Sequence, residues 1–255
     1  METPSSRTSV FDGAILFIWA YGLAAFAILM LIPAPYGKFH RTGFGTRIDG
    51  KTGWLVMESV AWIVFALCAT TRSNPASQCL WLLWMTHYIH RSIVYTLAAP
   101  SMSPTTAVNV VAAIIFNTAN AFVNAAAVTA IPSNSLETVR FWIGVAVFAC
   151  GMGINVVSDR TLFSLRKGAS TNDGRKRYSI PRGFLFEYVS AANYFGEIVE
   201  WIGWAIACNN IAGLSFALFT MANLVPRALS THKWYRERFG NVYPSNRKAV
   251  IPFLL

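Results

Sequence analysis

The chain has 255 residues, 55% of them hydrophobic and 13% charged, with a mean hydropathy of +0.44. That charge content is about half the roughly 25% of soluble domains, and apolar runs long enough to cross a bilayer core of about 30 Å recur throughout, which excludes an independent Rossmann, P-loop or soluble hydrolase domain. The net charge of +10 lies in segments between the apolar runs rather than on an exposed domain, so it reads as membrane orientation and not as a nucleic-acid footprint.

Hydropathy predicts an all-α, polytopic membrane protein of seven transmembrane helices, at roughly 13–34, 54–71, 79–98, 105–131, 139–163, 183–208 and 211–230, forming one domain over residues 1–255. The first run, Ala14 to Ile32, is too long for a cleaved signal peptide and is the first span. Cys68, Cys79, Cys150 and Cys208 lie in or at the ends of apolar runs without a CxxC pair, as small buried hydrophobes do. Charge bias orients the set. With the N-terminus outside, segments 35–53, 99–104, 160–182 and 226–255 face the cytoplasm and hold 17 Lys and Arg, against Arg7, Arg72 and Arg140 on the other side. An N-out, C-in topology with an odd number of spans follows.

Ionisable groups at membrane depth cost roughly 2.5–3.5 kcal/mol each on insertion scales and read as functional. Glu58 sits one turn into the second span, where a carboxyl group must find a partner or take up a proton. In the third span Tyr88, Arg91 and Tyr95 are spaced i, i+3, i+7 and share a helix face. A phenol beside a buried cation, with a carboxyl group from the next helix, suits polarisation of a carbonyl. His87 and His90 belong to a chain with only four histidines, so no metal site is expected. In the fifth span Gly151-Met152-Gly153 opens a GxG with no preceding strand and no third glycine, which is no dinucleotide fingerprint. Asn155 and Asp159 follow it. The polar segment Arg160–Arg182 then carries seven basic residues able to neutralise a diphosphate, although positive-inside bias predicts the same residues. In the sixth span Asn193, Glu197 and Glu200 form a polar stripe that must line an enclosed cavity, either as a proton path or as the wall of a polar ligand.

The stretch Tyr178-Ser179-Ile180-Pro181-Arg182-Gly183 through Asn193, Glu197, Glu200 and Trp201 resembles the core signature of the steroid 5α-reductase family, and Arg247-Lys248-Ala249-Val250-Ile251-Pro252-Phe253-Leu254-Leu255 resembles its C-terminus. Gly151-Met152-Gly153-Ile154-Asn155 with Ser158-Asp159, Leu165-Arg166-Lys167, His87-Tyr88 with His90-Arg91 and Tyr95, and Tyr36-Gly37-Lys38 are similar as well. Related membrane reductases and an isoprenylcysteine methyltransferase share a looser form of the C-terminal part. Glu58 with the His-Tyr…His-Arg segment narrows the resemblance to the 3-oxo-5α-steroid 4-dehydrogenase branch.

The resemblance implies an integral membrane enzyme, of the endoplasmic reticulum in a eukaryote or the inner membrane in a bacterium. It implies reduction by NADPH of the Δ4 double bond of 3-oxo steroids such as testosterone or progesterone, with a hydride delivered to C5. Glu58 and Tyr88 are then the catalytic pair at the C3 carbonyl. Arg91 and Tyr95 line the nicotinamide end, with Asn193, Glu197 and Tyr235 at the ribose and amide. Asn155, Asp159, Arg166 and Tyr178 hold the diphosphate and adenosine part, and Tyr36 and Trp54 form the steroid wall. The expected partners are a small lipid or steroid substrate and membrane lipids, with the chain a monomer and no nucleic acid involved. Met57 departs from a polar amide in the family, Ala98–Met102 from an Asn and Arg near a Gly-rich turn, and Ser230-Thr231-His232 from a run of three histidines. The loop Gly168–Lys176 is longer than the family's, and Arg175-Lys176-Arg177 within it are further candidates for phosphate contact. A reductase of another lipid enone or polyprenol is the alternative of the same mechanism. An S-adenosylmethionine methyltransferase leaves Arg166 without an anionic partner, and a proton-coupled transporter lacks the internal repeats common in that class.

Overall fold

The computed structural model describes residues 4–34, 37–39, 45–70, 74–167 and 178–255. Tyr36 and Arg175-Lys176-Arg177, named from the sequence, lie outside them. The α-helices among the described residues are α1 (Pro4–Leu31), α2 (Gly50–Cys68), α3 (Pro75–Ile89), the short α4 (Tyr95–Ala98), α5 (Ala107–Thr129), α6 (Val139–Lys167), α7 (Ala192–Cys208) and α8 (Ile211–Phe239), with α3 running into α4 through a π turn at His90–Val94. Five of these segments are long and apolar enough to cross a membrane: Ser9–Leu31, Gly50–Cys68, Ala107–Thr129, Val139–Lys167 and Ile211–Val242. The chain is thus an all-α protein of the membrane type.

Polar side chains start the helices where the backbone leaves N–H groups unpaired. Asp49 accepts from the Thr52 N–H at the head of α2, Asn74 from Ser77 at α3, Thr106 from Asn109 at α5, and Asn210 from Gly213 at α8. The tight link expected after Cys208 is explained by two asparagines. Asn209 takes a left-handed conformation, φ 49°, to end α7, and Asn210 caps α8.

The sixth helix begins nine residues later than hydropathy indicates. Gly183 and Phe184 have φ of 82° and 50°, the Tyr188 and Val189 N–H groups turn back to Leu185 O, and Tyr188 O and the Ser190 and Ala191 N–H groups bond to the C-terminal tail. Ser190 N–H donates to Lys248 O at 2.9 Å, Ala191 N–H to Ala249 O at 3.1 Å and Lys248 N–H to Tyr188 O at 2.8 Å. Apolar composition gives no signal of this, because the competing partner is sixty residues away.

Helices α6 and α7 approach each other closely at four glycines. A methyl group added at Gly151 would lie 2.2 Å from the Glu200 nitrogen, and one at Gly203 would lie 2.2 Å from that of Phe148. Gly144 and Gly196 stand in the same relation to Ala207 and Asn155. The absence of side chains at these positions brings the polar stripes of α6 and α7 face to face. The apolar core beneath is aromatic: Trp84 is fully buried, stacks on Phe65 with centroids 4.5 Å apart, and meets Trp201, Trp204 and Phe216.

Contacts between segment ends divide the molecule into two faces. On one, β1 (Arg47–Ile48) pairs antiparallel with β2 (Thr105–Thr106), Arg166 donates to Ser101 O, Lys38 lies over Trp234, and Arg247 donates to Pro181 O. On the other, Asn74 donates to Ile131 O, and Arg140 to the carbonyls of Ile206 and Ala207.

Candidate active site

The π turn sets the geometry of the third-span residues. Within it the Tyr95 N–H reaches back five residues to His90 O, and the Ser92 hydroxyl donates to Tyr88 O at 2.7 Å. The Arg91 carbonyl accepts from the Trp54 indole N–H at 3.1 Å. Such turns recur at functional sites because they re-aim side chains within a helix. Here Arg91 is aimed inward and only 8% exposed.

Arg91 is the hub of a buried charge cluster. Its guanidinium donates to Asp159 Oδ2 at 3.0 Å and to Glu197 Oε2 at 3.3 Å, and it lies over the rings of Trp54 and Tyr95 at 4.9 and 4.7 Å. Asn193 donates to Asp159 Oδ1 at 3.1 Å. Asn155 donates to Asn193 O at 2.9 Å and to Glu197 Oε2 at 3.4 Å. Thus α3, α6 and α7 bring Arg91, Asn155, Asp159, Asn193 and Glu197 into one network, with Tyr95 against it. Trp54, expected in the steroid wall, packs on Arg91 and Tyr95 and so belongs to this network's boundary.

Glu58 is half-buried and within electrostatic reach of Arg91 and Glu197; Tyr88 is 3% exposed and within reach of Glu58, Glu197 and Glu200. Among the described residues, neither the Glu58 carboxyl group nor the Tyr88 hydroxyl has a hydrogen-bond partner. Two polar ends beside a charge cluster, without a partner among the described residues, are able to donate hydrogen bonds to an external acceptor. Behind Tyr88, its ring 4.9 Å from Trp84, stands the aromatic core, which excludes water from that side.

The third member of the α7 stripe has another role. Glu200 is fully buried, and its Oε1 lies 2.7 Å from His87 Nδ1. The His87 ring packs edge-on against Tyr88 at 4.8 Å and Trp201 at 4.6 Å. This pair fixes the helix turn that carries Tyr88; hydropathy shows each residue without showing which helices meet. The same holds for Asn117, Asn120 and Asn124 on α5. Asn117 donates to Met57 O at 2.7 Å beside Glu58, and Asn124 accepts from the Trp204 indole at 2.8 Å. Their i, i+3, i+7 spacing is the signal that would find them.

The remaining expected residues form a separate group nearer the loops. Tyr95 meets Phe163 at 5.0 Å, and Arg166 lies over the same ring at 5.6 Å, one turn further along α6. Tyr178 meets Trp234 at 4.9 Å. Tyr235 stacks on Tyr243 at 5.5 Å and 7° rather than joining Asn193 and Glu197. Burial pushes the Tyr178 phenol above its ordinary range, with Arg166 opposing the shift. The tail is fastened here by Ser190, whose hydroxyl contacts His232 Nδ1 at 2.6 Å and Tyr243 Oη at 2.5 Å. Among the described residues no group of three His, Cys, Asp or Glu side chains is placed to hold a metal ion.

A family model described as 3-oxo-5-alpha-steroid 4-dehydrogenase matches residues 103–255. Over the whole chain, the sequence is 39% identical to the steroid 5-alpha-reductase DET2 of Arabidopsis thaliana, with all of both chains covered. It is 40% identical to the DET2 protein of Solanum lycopersicum, with 98% of this chain and 99% of the relative covered. It is 36% identical to 3-oxo-5-alpha-steroid 4-dehydrogenase 1 of Rattus norvegicus, covering 96% and 93%. The resemblance carried by the Tyr178–Trp201 and C-terminal motifs therefore extends across the chain, which belongs to the 3-oxo-5-alpha-steroid 4-dehydrogenase family of membrane reductases.

Proposed function

We propose that this chain is an NADPH-dependent reductase of the Δ4 double bond of 3-oxo steroids, acting as a seven-span monomer whose site comes entirely from one chain. The observation that carries the reading is the open pair, Glu58 and Tyr88, beside the Arg91–Asp159–Glu197 cluster. The donor set fits a nicotinamide dinucleotide. Asn155, Asp159, Asn193 and Glu197 offer amide and carboxyl groups for a ribose and a carboxamide, Tyr95 and Trp54 offer ring faces, and Arg166 and Tyr178 offer a cation and a phenol for phosphate. When bound, NADPH supplies the hydride for C5.

The protein's own groups do the rest. Tyr88 and Glu58, as hydrogen-bond donors at the C3 oxygen, polarise the enone. They stabilise the negative charge that develops there as C5 becomes saturated, until a proton reaches C4. The aromatic core around Trp84 keeps water from the oxygen, where each donor is worth more than in solution. The sterol body is expected against the apolar faces of α2 and α5, and Tyr36 is proposed to close them.

Losing one such donor costs about 10²–10³-fold in turnover. Glu58→Gln and Tyr88→Phe are each expected to lower progesterone reduction by that factor while leaving NADPH affinity within about twofold. Incubation of the purified protein with NADPH and progesterone, with the product identified by mass and 5α stereochemistry, tests the reading directly. Normal turnover in either variant removes the carbonyl-polarising role. Failure to consume any 3-oxo steroid alongside reduction of another lipid enone moves the assignment to that substrate.

A further inference from the structure

On the side away from the buried network, the outward faces of α3 and α6 form a groove that the reduction chemistry does not use. Two hollows of about 450 and 420 Å³ run along it, with Thr86 as a wall of both. The first lies along α3, over Trp81, Met85, Ile89 and His90. The second lies between the helices, over Leu83 from α3 and Phe148, Met152, Gly153 and Val157 from α6. Leu82, Ile89, Val94 and Val157 on these walls are exposed, so the groove opens away from the core. Gly153 gives the second hollow its depth, since a methyl group there would meet nothing within 4 Å. Among the described residues no acidic side chain lines either hollow.

The groove has a charged end. Arg91 on α3 donates inward to Asp159 on α6 at 3.0 Å, and that bond sets their chain neighbours His90 and Arg160 at one depth. His90 is half-buried and lines the first hollow, Arg160 is exposed, and the two are within electrostatic reach of each other. Arg160 stands one turn beyond Val156 and Val157, which line the second hollow. It also lies six residues before Arg166, which bonds to Ser101 at the face where β1 meets β2, and so about 9 Å deeper along α6. The headgroup layer on each side of a hydrocarbon core is about 5–8 Å thick. Arg160 therefore sits just inside that boundary, from which its long side chain reaches back to a phosphate. Phe148 to Val157 lie three to twelve residues further in, about 5–18 Å, at the level of acyl chains.

We infer that this groove seats one anionic glycerophospholipid of the leaflet on that face, its phosphate between Arg160 and His90 and an acyl chain over Gly153 against Phe148 and Met152. Two cations with no acidic neighbour on the walls favour a net negative headgroup over a zwitterionic one, whose own ammonium group they repel. The same charge argues against a second copy of the chain. Ala149 and Gly153, four residues apart on α6, have a spacing that brings transmembrane helices together. A two-fold contact there, however, sets each patch against its own image, cations included. A lipid lying across both helices holds α3 to α6 from outside, where Arg91 and Asp159 hold them from within. Its occupancy thus braces the network from a site that touches neither substrate nor cofactor.

The experiment is native mass spectrometry of the purified full chain, released from detergent micelles holding phosphatidylglycerol and phosphatidylcholine in equal amounts. Wild type is expected to retain a single phosphatidylglycerol, at least tenfold in excess over phosphatidylcholine, as one charge-assisted hydrogen bond allows. Arg160→Gln brings the ratio to within twofold and Arg160→Lys keeps most of it. Arg238→Gln, at an exposed cation of α8 outside the groove, leaves it unchanged. Gly153→Phe fills the second hollow and removes the retained lipid. Added phosphatidylglycerol raises the thermal midpoint of wild type and not that of Arg160→Gln. Equal retention of the two lipids by wild type, or an undiminished preference in Arg160→Gln, overturns the assignment. A loss of preference in Arg238→Gln as large as in Arg160→Gln does so too, since it reduces the effect to general surface charge. A two-chain mass in wild type that Gly153→Phe abolishes gives the groove to a second copy and overturns the lipid.

Discussion

Arg91 is held by two carboxylates and two aromatic rings at once, and this gives it a structural role. Removing its charge leaves Asp159 and Glu197, 3% exposed and half-buried respectively, facing each other without compensation. Breaking a buried ion pair from one side costs about 3–5 kcal/mol. Arg91→Met is therefore expected to lower the thermal midpoint of the purified protein by roughly 5 °C or more, measured by intrinsic fluorescence. Arg166 is different. It is exposed, and it spends one N–H on the Ser101 carbonyl at 3.2 Å, so its guanidinium is free to turn to a phosphate. A charge-assisted hydrogen bond is worth about 1.5–3 kcal/mol. Arg166→Ala is expected to raise the KM for NADPH at least tenfold with an unchanged midpoint, and an unchanged KM removes Arg166 from the site. The contrast between the two arginines was legible only in part. The sequence places Arg91 at membrane depth and Arg166 at a boundary. The two acids that neutralise Arg91 come from helices 68 and 106 positions away, and no local pattern pairs them.

At the scale of elements, hydropathy locates the apolar helices well because a bilayer-facing surface must be apolar whatever the tertiary structure. It fails where backbone hydrogen bonds are settled by distant chain, as at Gly183–Ala191, and where a helix changes its own register, as in the π turn at His90–Val94. The Gly151-Met152-Gly153 motif shows the same division. The lack of a strand and a third glycine leaves it outside the dinucleotide fingerprint, and the sequence does not distinguish its two glycines. Gly151 faces α7, with the Glu200 backbone where its methyl group would be, while a methyl group at Gly153 meets nothing within 4 Å. Gly151→Ala must push α7 from α6 and with it move Asn193, Glu197 and Glu200. Gly153→Ala only gains helix propensity, about 1 kcal/mol. The expected result is a lowered thermal midpoint and lost activity for the first, and a midpoint equal or higher with full activity for the second. Equal effects at both positions would show that the α6–α7 approach does not position the site.

At the scale of the whole molecule, the distribution of charge and the pairing of segment ends describe the same object. The segments expected on the cytoplasmic side are those that supply the described contacts of one face, joining β1 to β2, Arg166 to Ser101, Lys38 to Trp234 and Arg247 to Pro181. On the proposed function, a nucleotide would enter from that face and a lipid from the bilayer, to meet between Arg91 and Glu58. This arrangement requires that α3 with α4, and α7, cross the membrane, although they fall outside the five segments that qualify by length and apolarity alone. The polar groups that disqualify α7 are those facing Arg91 and His87, so its composition reflects burial against protein rather than exposure to water. The turn Ser133–Glu137 before α6 decides the matter. If α3 and α4 cross, this turn lies on the same side as the N-terminus, outside. If neither they nor α7 cross, it lies inside with Lys233. With the four native cysteines replaced by serine or alanine, single cysteines at Glu137 and Lys233 and a membrane-impermeant maleimide on right-side-out vesicles separate the cases. Labelling at 137 and protection at 233 until the membrane is opened is the expected pattern. Protection at both positions would make α3 with α4, and α7, segments that do not cross the membrane.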